Sequence, residues 1–315
     1  MARRGIGEPL QSCRARFNDI AMITEGKDFV ARGARVTRLG RDFRWPGGRH
    51  VAVVFNVAYE GWPEDKAPGI GPMGNPLPGG AFDTNAVSWA AYGQVRGIER
   101  ILRVLDKLDL SASVMANGIF AERTPDLLKA LVGAGHELVA HSYSQNIVPA
   151  TLTAEQVKAD IVKTTDALTA AAGVRPRGWI SPRGTPSPDS ARFLIEAGYL
   201  WQGDVFDDDR PYVQTLPEGR LVAIPLTMDI NDLPHAMRFG RSPRQYIEMF
   251  EDLLAHALTG EDEAVMIDVT VHGHVFGHPA GAWALETVGR TVQARDDVFV
   301  ARRDEIAELV LEAVG

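Results

Sequence analysis

"HVAVVFNVAYEGW", residues 50–62, decides the fold. Residues 50–59 form a short apolar run rich in valine, and "WPGG" at 45–48 breaks the chain just before it. Branched β-carbons stand well on a pleated surface, so the run reads as a buried strand. At its carboxyl end stand Asn56, Tyr59 and Glu60, polar groups on an otherwise apolar segment.

Working outward, the same signal returns at 112–116, 137–141, 178–181, 199–203, 222–226 and 264–271. Between these runs apolar residues recur at three and four, which predicts helices over 89–108, 124–133, 153–171, 188–197, 242–258 and 299–313. "TPDLL" at 124 and "SPDSARFL" at 187 each set a capping residue before a proline of the first turn. Seven strands alternating with helices imply an α/β fold with a parallel sheet covered by helices. The count suits closure into a distorted (β/α) barrel of about seven parallel strands. Residues 1–45 lack periodicity and read as an N-terminal arm, and 46–315 as one barrel domain. The Gly- and Pro-rich loop at 68–83 is long for a compact domain, and loops of that kind carry function.

The bulk numbers narrow the class. Acidic residues outnumber basic ones, 41 to 33, for a formal charge of −8, which argues against nucleic acid or an anionic membrane as partner. With one cysteine, Cys13, no intrachain disulfide and no cysteine metal cluster can form. The basic start "MARRGIGEPLQSCRARF" is not followed by an apolar export segment, and no run approaches the ~18 residues of a membrane span. A cytoplasmic protein acting on a small molecule is the expectation.

In parallel α/β folds reactive groups gather at the carboxyl ends of the strands. That rule selects Asn56, Tyr59 and Glu60, with Trp62 beside them, then Asn117, His141 and Arg183. It also selects the acidic "DVFDDDRPY" with Asp208, "TMDINDLPH", and "VHGHVFGHP" with His272, His274 and His278. "HxH" at 272 and 274 puts two rings on one side of a strand, a geometry that zinc sites use and that metal-free strand ends also show. "DDDR" reads equally well as a solvated turn.

The series "VAVVFNVAYE", "ASVMANGIF", "GHELVAHSYSQN", "GWISPRGTPSPDS" and "VTVHGH" resembles, in order and spacing, the motifs of the polysaccharide deacetylase (NodB-homology) superfamily. That resemblance implies a general base at position 56 and metal ligands at 58, 141 and 145. This chain has Asn56, Ala58, His141 and Gln145 there. An amide takes up no proton near pH 7, and alanine offers no ligand. Only one metal ligand of three survives, too few for a stable site. "RWPGGRHVAVVFNVAYEG", "YGQVRGIERILRVL", "GDVFDDDRPY", "IPLTMDINDLP" and "VHGHVFGHP" look like the cofactor-independent allantoinase and cyclic imide hydrolase branch. That branch implies ring opening of small cyclic amides without a cofactor, in homo-oligomers, tetramers or dimers. His274 and His278 stand where the branch carries arginine, and "AYEGWPE" replaces its acidic Gly-rich segment, so the pocket differs.

Amide hydrolysis without a metal needs a group that activates water, donors for the oxyanion and a proton for the leaving nitrogen. Glu60, His141 and His272 are the catalytic candidates, and enclosure beside Tyr59 and Trp62 is expected to raise the Glu60 pKa toward neutrality. Asn56, Tyr59, Trp62, Asn117, Arg183, Asp208 and His274 are the substrate-binding candidates, with Asn56, Asn117 and Arg183 as donors to substrate carbonyls. Two other readings stay open. One is a metal-dependent glycan deacetylase with a site rebuilt from His141, His272 and His274, holding a divalent ion such as zinc. The other is a barrel that binds a small ligand without turning it over.

Overall fold

The computed structural model describes residues 25–74 and 77–315. Residues 1–24 of the expected N-terminal arm lie outside that range. The arm's remainder contributes two strands, β1 (Glu25–Lys27) and β2 (Arg35–Arg38), to one edge of the sheet. β3 (Val51–Tyr59) is the long valine-rich strand. After it come β4 (Ser113–Ala116), β5 (Glu137–Ala140), β6 (Gly178–Trp179), β7 (Trp201–Gln202), the hairpin β8 (Tyr212–Leu216) and β9 (Gly219–Ala223), β10 (Val265–His272) and β11 (Val298–Val300).

The parallel strands lie in the order β10-β3-β4-β5-β6-β7-β9, and these are the seven read from sequence. β6 and β7 are short, and the Trp201 indole lies across Gly178, where a Cβ would stand 2.0 Å from it. After β9 the chain swings back toward β10. There Asn231 bridges Thr270, Thr227 accepts from Asp268 N at 3.0 Å, and the curved sheet closes unevenly. Among the described residues no helix is long and apolar enough to cross a membrane.

Side chains alternate across a strand, so β3 sorts itself between two cores. Val51, Val53, Phe55, Val57 and Tyr59 face outward into the layer beneath the helices, with Ile101, Leu128, Phe250 and Leu285. Ala52, Val54 and Ala58 face inward, with Met115, Val139, Trp201 and Met266. The inner core is closed from one end by α9 (Arg303–Val314) through Ile306, Ala307 and Val310. On the outer layer lie α1 (Thr84–Tyr92), α2 (Ile98–Lys107), α3 (Phe120–Arg123), α4 (Pro125–Gly133), α5 (Ala154–Ala172), α6 (Ser190–Glu196), α7 (Pro243–Thr259) and α8 (Pro279–Gln293).

β1, β2, β8 and α3 are absent from the sequence reading, and two further elements depart from it. The helix expected over 299–313 begins at Arg303, because Val298–Val300 pairs with β3 as β11 and Arg302 N donates to Glu305 to start the helix. α8 went unread: its buried Ala282, Leu285, Val288 and Val292 recur at helical spacing, after Pro279 at its first position.

α1 and α2 are joined by a π turn, Gly93–Gly97, that lies directly on the 272–277 loop. A Cβ on Gly97 would stand 1.9 Å from the Gly273 carbonyl oxygen, and one on Gly277 2.5 Å from Gly97 Cα. Backbone meets backbone here, which only glycine allows. Gly97→Ala is therefore expected to cost about 1–3 kcal/mol in denaturant unfolding. The helical Gly133, with open space around it, is expected to be neutral or to gain up to about 1 kcal/mol on the same change.

Candidate active site

The carboxyl ends of β3, β5 and β10 deliver Glu60, His141 and His272 to one point. Glu60 follows the inward-facing Asn56 and Ala58 on alternate positions, and it is buried. Glu60 Oε1 lies 3.6 Å from His141 Nε2 and 3.6 Å from His272 Nε2, and Oε2 lies 3.7 Å from His274 Nε2. Gln145 Nε2 donates to Oε1 at 2.8 Å. Burial pushes the Glu60 carboxyl up, but the charges of His272, His141 and His274 outweigh it and hold the group down at about 2. The expected rise toward neutrality is thus reversed: Glu60 is a permanent anion among imidazoles.

Each histidine is held differently. His141 Nδ1 stands 2.6 Å from the Ile180 carbonyl oxygen, which can only accept, so Nδ1 carries the hydrogen. Its Nε2, buried and without a hydrogen-bond partner, presents a lone pair when the ring is neutral. His272 Nδ1 donates to Asp232 Oδ1 at 2.6 Å, and the other Asp232 oxygen accepts from the backbone of His272 (2.8 Å) and Phe276 (3.0 Å). Burial pulls the His272 imidazole down, yet the charges of Asp232 and Glu60 and the Asp232 hydrogen bond raise it above its ordinary range. His274 lies between the edges of Trp62 and Trp89, with ring centroids 5.8 and 4.5 Å away. Burial drives it down to about 4, so it is neutral near pH 7.

The loop after β5 makes the arrangement possible. Ser142 adopts φ 53°, a left-handed conformation that strains a residue with a Cβ and turns the chain sharply past His141. Gln145 then returns over Glu60, its N–H donating to the Gly61 carbonyl at 2.9 Å. Asn117 locks these turns together: Oδ1 accepts from Gly61 N at 2.8 Å, and Nδ2 donates to the carbonyls of His141 and Ser142. Both ends of its amide serve the backbone, so Asn117 positions the site and is not the carbonyl donor expected of it.

Other expected binding residues are placed elsewhere. Tyr59 faces the outer layer by strand alternation, stacked on Phe120 with its hydroxyl 3.0 Å from Thr124, so it does not enclose Glu60. Asp208 pairs with Arg38 at 2.7 Å and lines a separate cavity of about 190 Å³ with Asp209, Asp229 and Met228. Arg183 sits in an exposed turn at φ 63°, where its carbonyl accepts from the Thr185 hydroxyl at 3.0 Å and its side chain makes no hydrogen bond or ion pair to the described residues. Asn56 is wholly buried and its Nδ2 donates to Thr270 at 3.2 Å, so its oxygen is the free end; the expectation of a donor is turned round. Trp62 does reach the site, on a cleft of about 140 Å³ with Glu60, Val87, Ala90, Gln94 and Arg123.

Sequence reasoning passed over Asp232, Gln145 as a partner of Glu60, and Trp89. "NDLPH" marked 232 as a strand-end acid, but no spacing ties it to His272, forty residues on.

The metal that the family's motifs imply does not fit. Position 58 offers a buried methyl, Gln145 turns its amide N–H₂ to Glu60, and no three His, Cys, Asp or Glu side chains among the described residues converge as a metal cage. His141 alone remains of the family's three ligands.

One carboxylate and three imidazoles thus meet at the carboxyl ends of the parallel strands of an α/β fold. Residues 82–200 match the family model for polysaccharide deacetylases. The chain is 23% identical over 263 residues to a peptidoglycan deacetylase of Helicobacter pylori, covering 73% of this chain and 89% of that one. Among solved structures it is similar to Puue allantoinase, with 27% identity, a TM-score of 0.77 and coverage of 90% and 96%. It is also similar to a "probable Polysaccharide deacetylase" of Pseudomonas aeruginosa PAO1, with 28% identity, a TM-score of 0.76 and coverage of 84% and 92%. Residues 82–200 thus carry a polysaccharide deacetylase (NodB-homology) domain, and the fold around it is similar to those of a deacetylase and an allantoinase.

The His272–Asp232 pair is open to a direct check. Histidine-resolved NMR titration is expected to place His272 above the ordinary 6.5. In Asp232→Asn it is expected to titrate at lower pH, since the neutral amide removes the charge that favours imidazolium. An unshifted His272 in that variant would contradict the assigned hydrogen bond.

Proposed function

We propose that the protein opens a small cyclic amide, imide or ureide by hydrolysis that needs no metal. The observation that carries this reading is the place of the Glu60 carboxylate. It touches Gln145 and adjoins His141, the side chains at two of the family's three metal-ligand positions, so an anion stands where the family holds a cation. The likeness to Puue allantoinase over 90% of the chain supports the ring-opening chemistry.

The roles follow from the hydrogens. His141, with its hydrogen fixed on Nδ1, has a free lone pair on Nε2 and takes a proton from water as it attacks the ring carbonyl. His272, whose protonated form the Asp232 carboxylate favours, gives its Nε2 proton to the departing ring nitrogen. Glu60 adjoins both imidazoles and steadies the positive charge as it passes from one ring to the other. A carboxyl held down at about 2 is a weak base, so Glu60 acts by its charge. A cyclic imide suits such a site, because its nitrogen leaves more readily than that of an acetamido sugar and less catalytic stabilisation is needed.

The test pairs metal analysis with a substrate panel. Purified protein is expected to open succinimide or hydantoin with far less than one metal per chain, unaffected by chelator. A stoichiometric metal, activity lost on chelation, or release of acetate from an acetylated chitooligosaccharide would overturn the reading. His141→Ala is expected to lower kcat by about 10²–10⁴. Activity should fall as pH rises through the raised His272 pKa, where the acid loses its proton, and this limb should move to lower pH in Asp232→Asn.

A further inference from the structure

The inner column of the barrel fixes the direction of a hydrogen-bond chain that ends at the site. Arg303, wholly buried, pairs with Asp268 and donates to the carbonyls of Ile224 (3.0 Å) and Pro225 (3.3 Å). A guanidinium only donates, so its partner Asp268 stays an acceptor. The Thr270 hydroxyl donates its single hydrogen to Asp268, and its oxygen then accepts from Asn56 Nδ2 at 3.2 Å. Register supports this, since Thr270 stands directly opposite Asn56 across the β10–β3 pair. The carboxamide of Asn56 therefore cannot flip without setting two acceptors face to face.

Its Oδ1 is left buried without a partner. Gln145 is fixed in the same way: Nε2 faces the Glu60 anion and Oε1 is buried and unpartnered. With the His141 Nε2 lone pair, three buried acceptors on the site's residues lack a donor. Buried polar groups of this kind are normally satisfied, and a ligand that satisfies them must bring N–H groups. Asn56 and Glu60 lie on the same inner face of β3, with only the Ala58 methyl between them.

We propose that Asn56 Oδ1 is the specificity contact of this pocket and reads an unsubstituted ring N–H, with Thr270 and Asp268 as the positioning residues that aim it. The proposal rests on the reading of the site as one for small cyclic amides, and it names the subclass: rings whose amide or ureide nitrogen carries hydrogen. An N-alkylated ring would leave Oδ1 unpaired.

The experiment measures binding by calorimetry and turnover by ring opening for two ligand sets. One set is succinimide with N-methylsuccinimide, the other hydantoin with its two mono-N-methyl derivatives. The native protein is expected to prefer the N–H form by about tenfold to a hundredfold, the range for an unpaired buried acceptor. Thr270→Ser keeps the hydroxyl and should keep the preference. Thr270→Val has nearly the same shape but frees the amide to turn, and should bring the ratio toward unity, as should Asn56→Ala. A native ratio near unity, a full ratio retained in folded Thr270→Val, or no binding of any probe would overturn the proposal. Binding with the expected ratios but without turnover would overturn the proposed hydrolysis and leave the Asn56 contact standing. Should Thr270→Val fail to fold, Asn56→Ala decides.

Discussion

One ion pair sealed under the barrel floor sets the terms for the rest of the molecule. Arg303 and Asp268 are both wholly buried, and removing two charges from water costs several kcal/mol for each ion. The cost is offset by the partners that the remaining groups find, although Arg303 Nε is buried without one. Ile224 and Pro225 supply carbonyls, the Trp201 face lies 5.3 Å from the guanidinium, and Thr270 supplies a hydroxyl. These partners come from β7, from β10 and from the residues just after β9. The pair therefore couples the last helix to the strands that carry His272, and it imposes a direction on the polar groups above it.

At the other end of the same column the electrostatics are the inverse of a metal site. A divalent cation among histidines drives their protons off, whereas a carboxylate there draws protons on. His272, with two carboxylates near it, is raised. His274, more weakly coupled and with Nδ1 unpartnered, is driven down to about 4 by burial. One anion thus lies against two imidazoles that are shifted in opposite directions.

The seven parallel strands were legible because each is a dense apolar run with a polar group at its carboxyl end, and strand ends are where the rule for such folds looks. Glu60, His141 and His272 were found that way. The alternation that carried Glu60 inward also carries Tyr59 outward, and counting by twos from Asn56 was enough to separate them. Asn117, Asp232 and Thr270 were beyond reach for a different reason. Whether a side chain faces substrate or clamps its own backbone depends on partners 24 to 214 residues away, and no local pattern encodes them. α8 hid behind small residues, whose burial follows from close packing against α2 and α7 and not from hydrophobicity.

β3 has one more consequence. Its partners are β4 and β11 on one side and β10 on the other, so a strand made at 51–59 waits for partners made at 265–272 and 298–300. Synthesis at roughly 5–20 residues per second leaves its valine edge unpaired for many seconds. An open apolar edge is the surface on which foreign strands add. The interval of greatest exposure to aggregation is thus set by translation speed and chain length, and a finished barrel of any stability does nothing to shorten it.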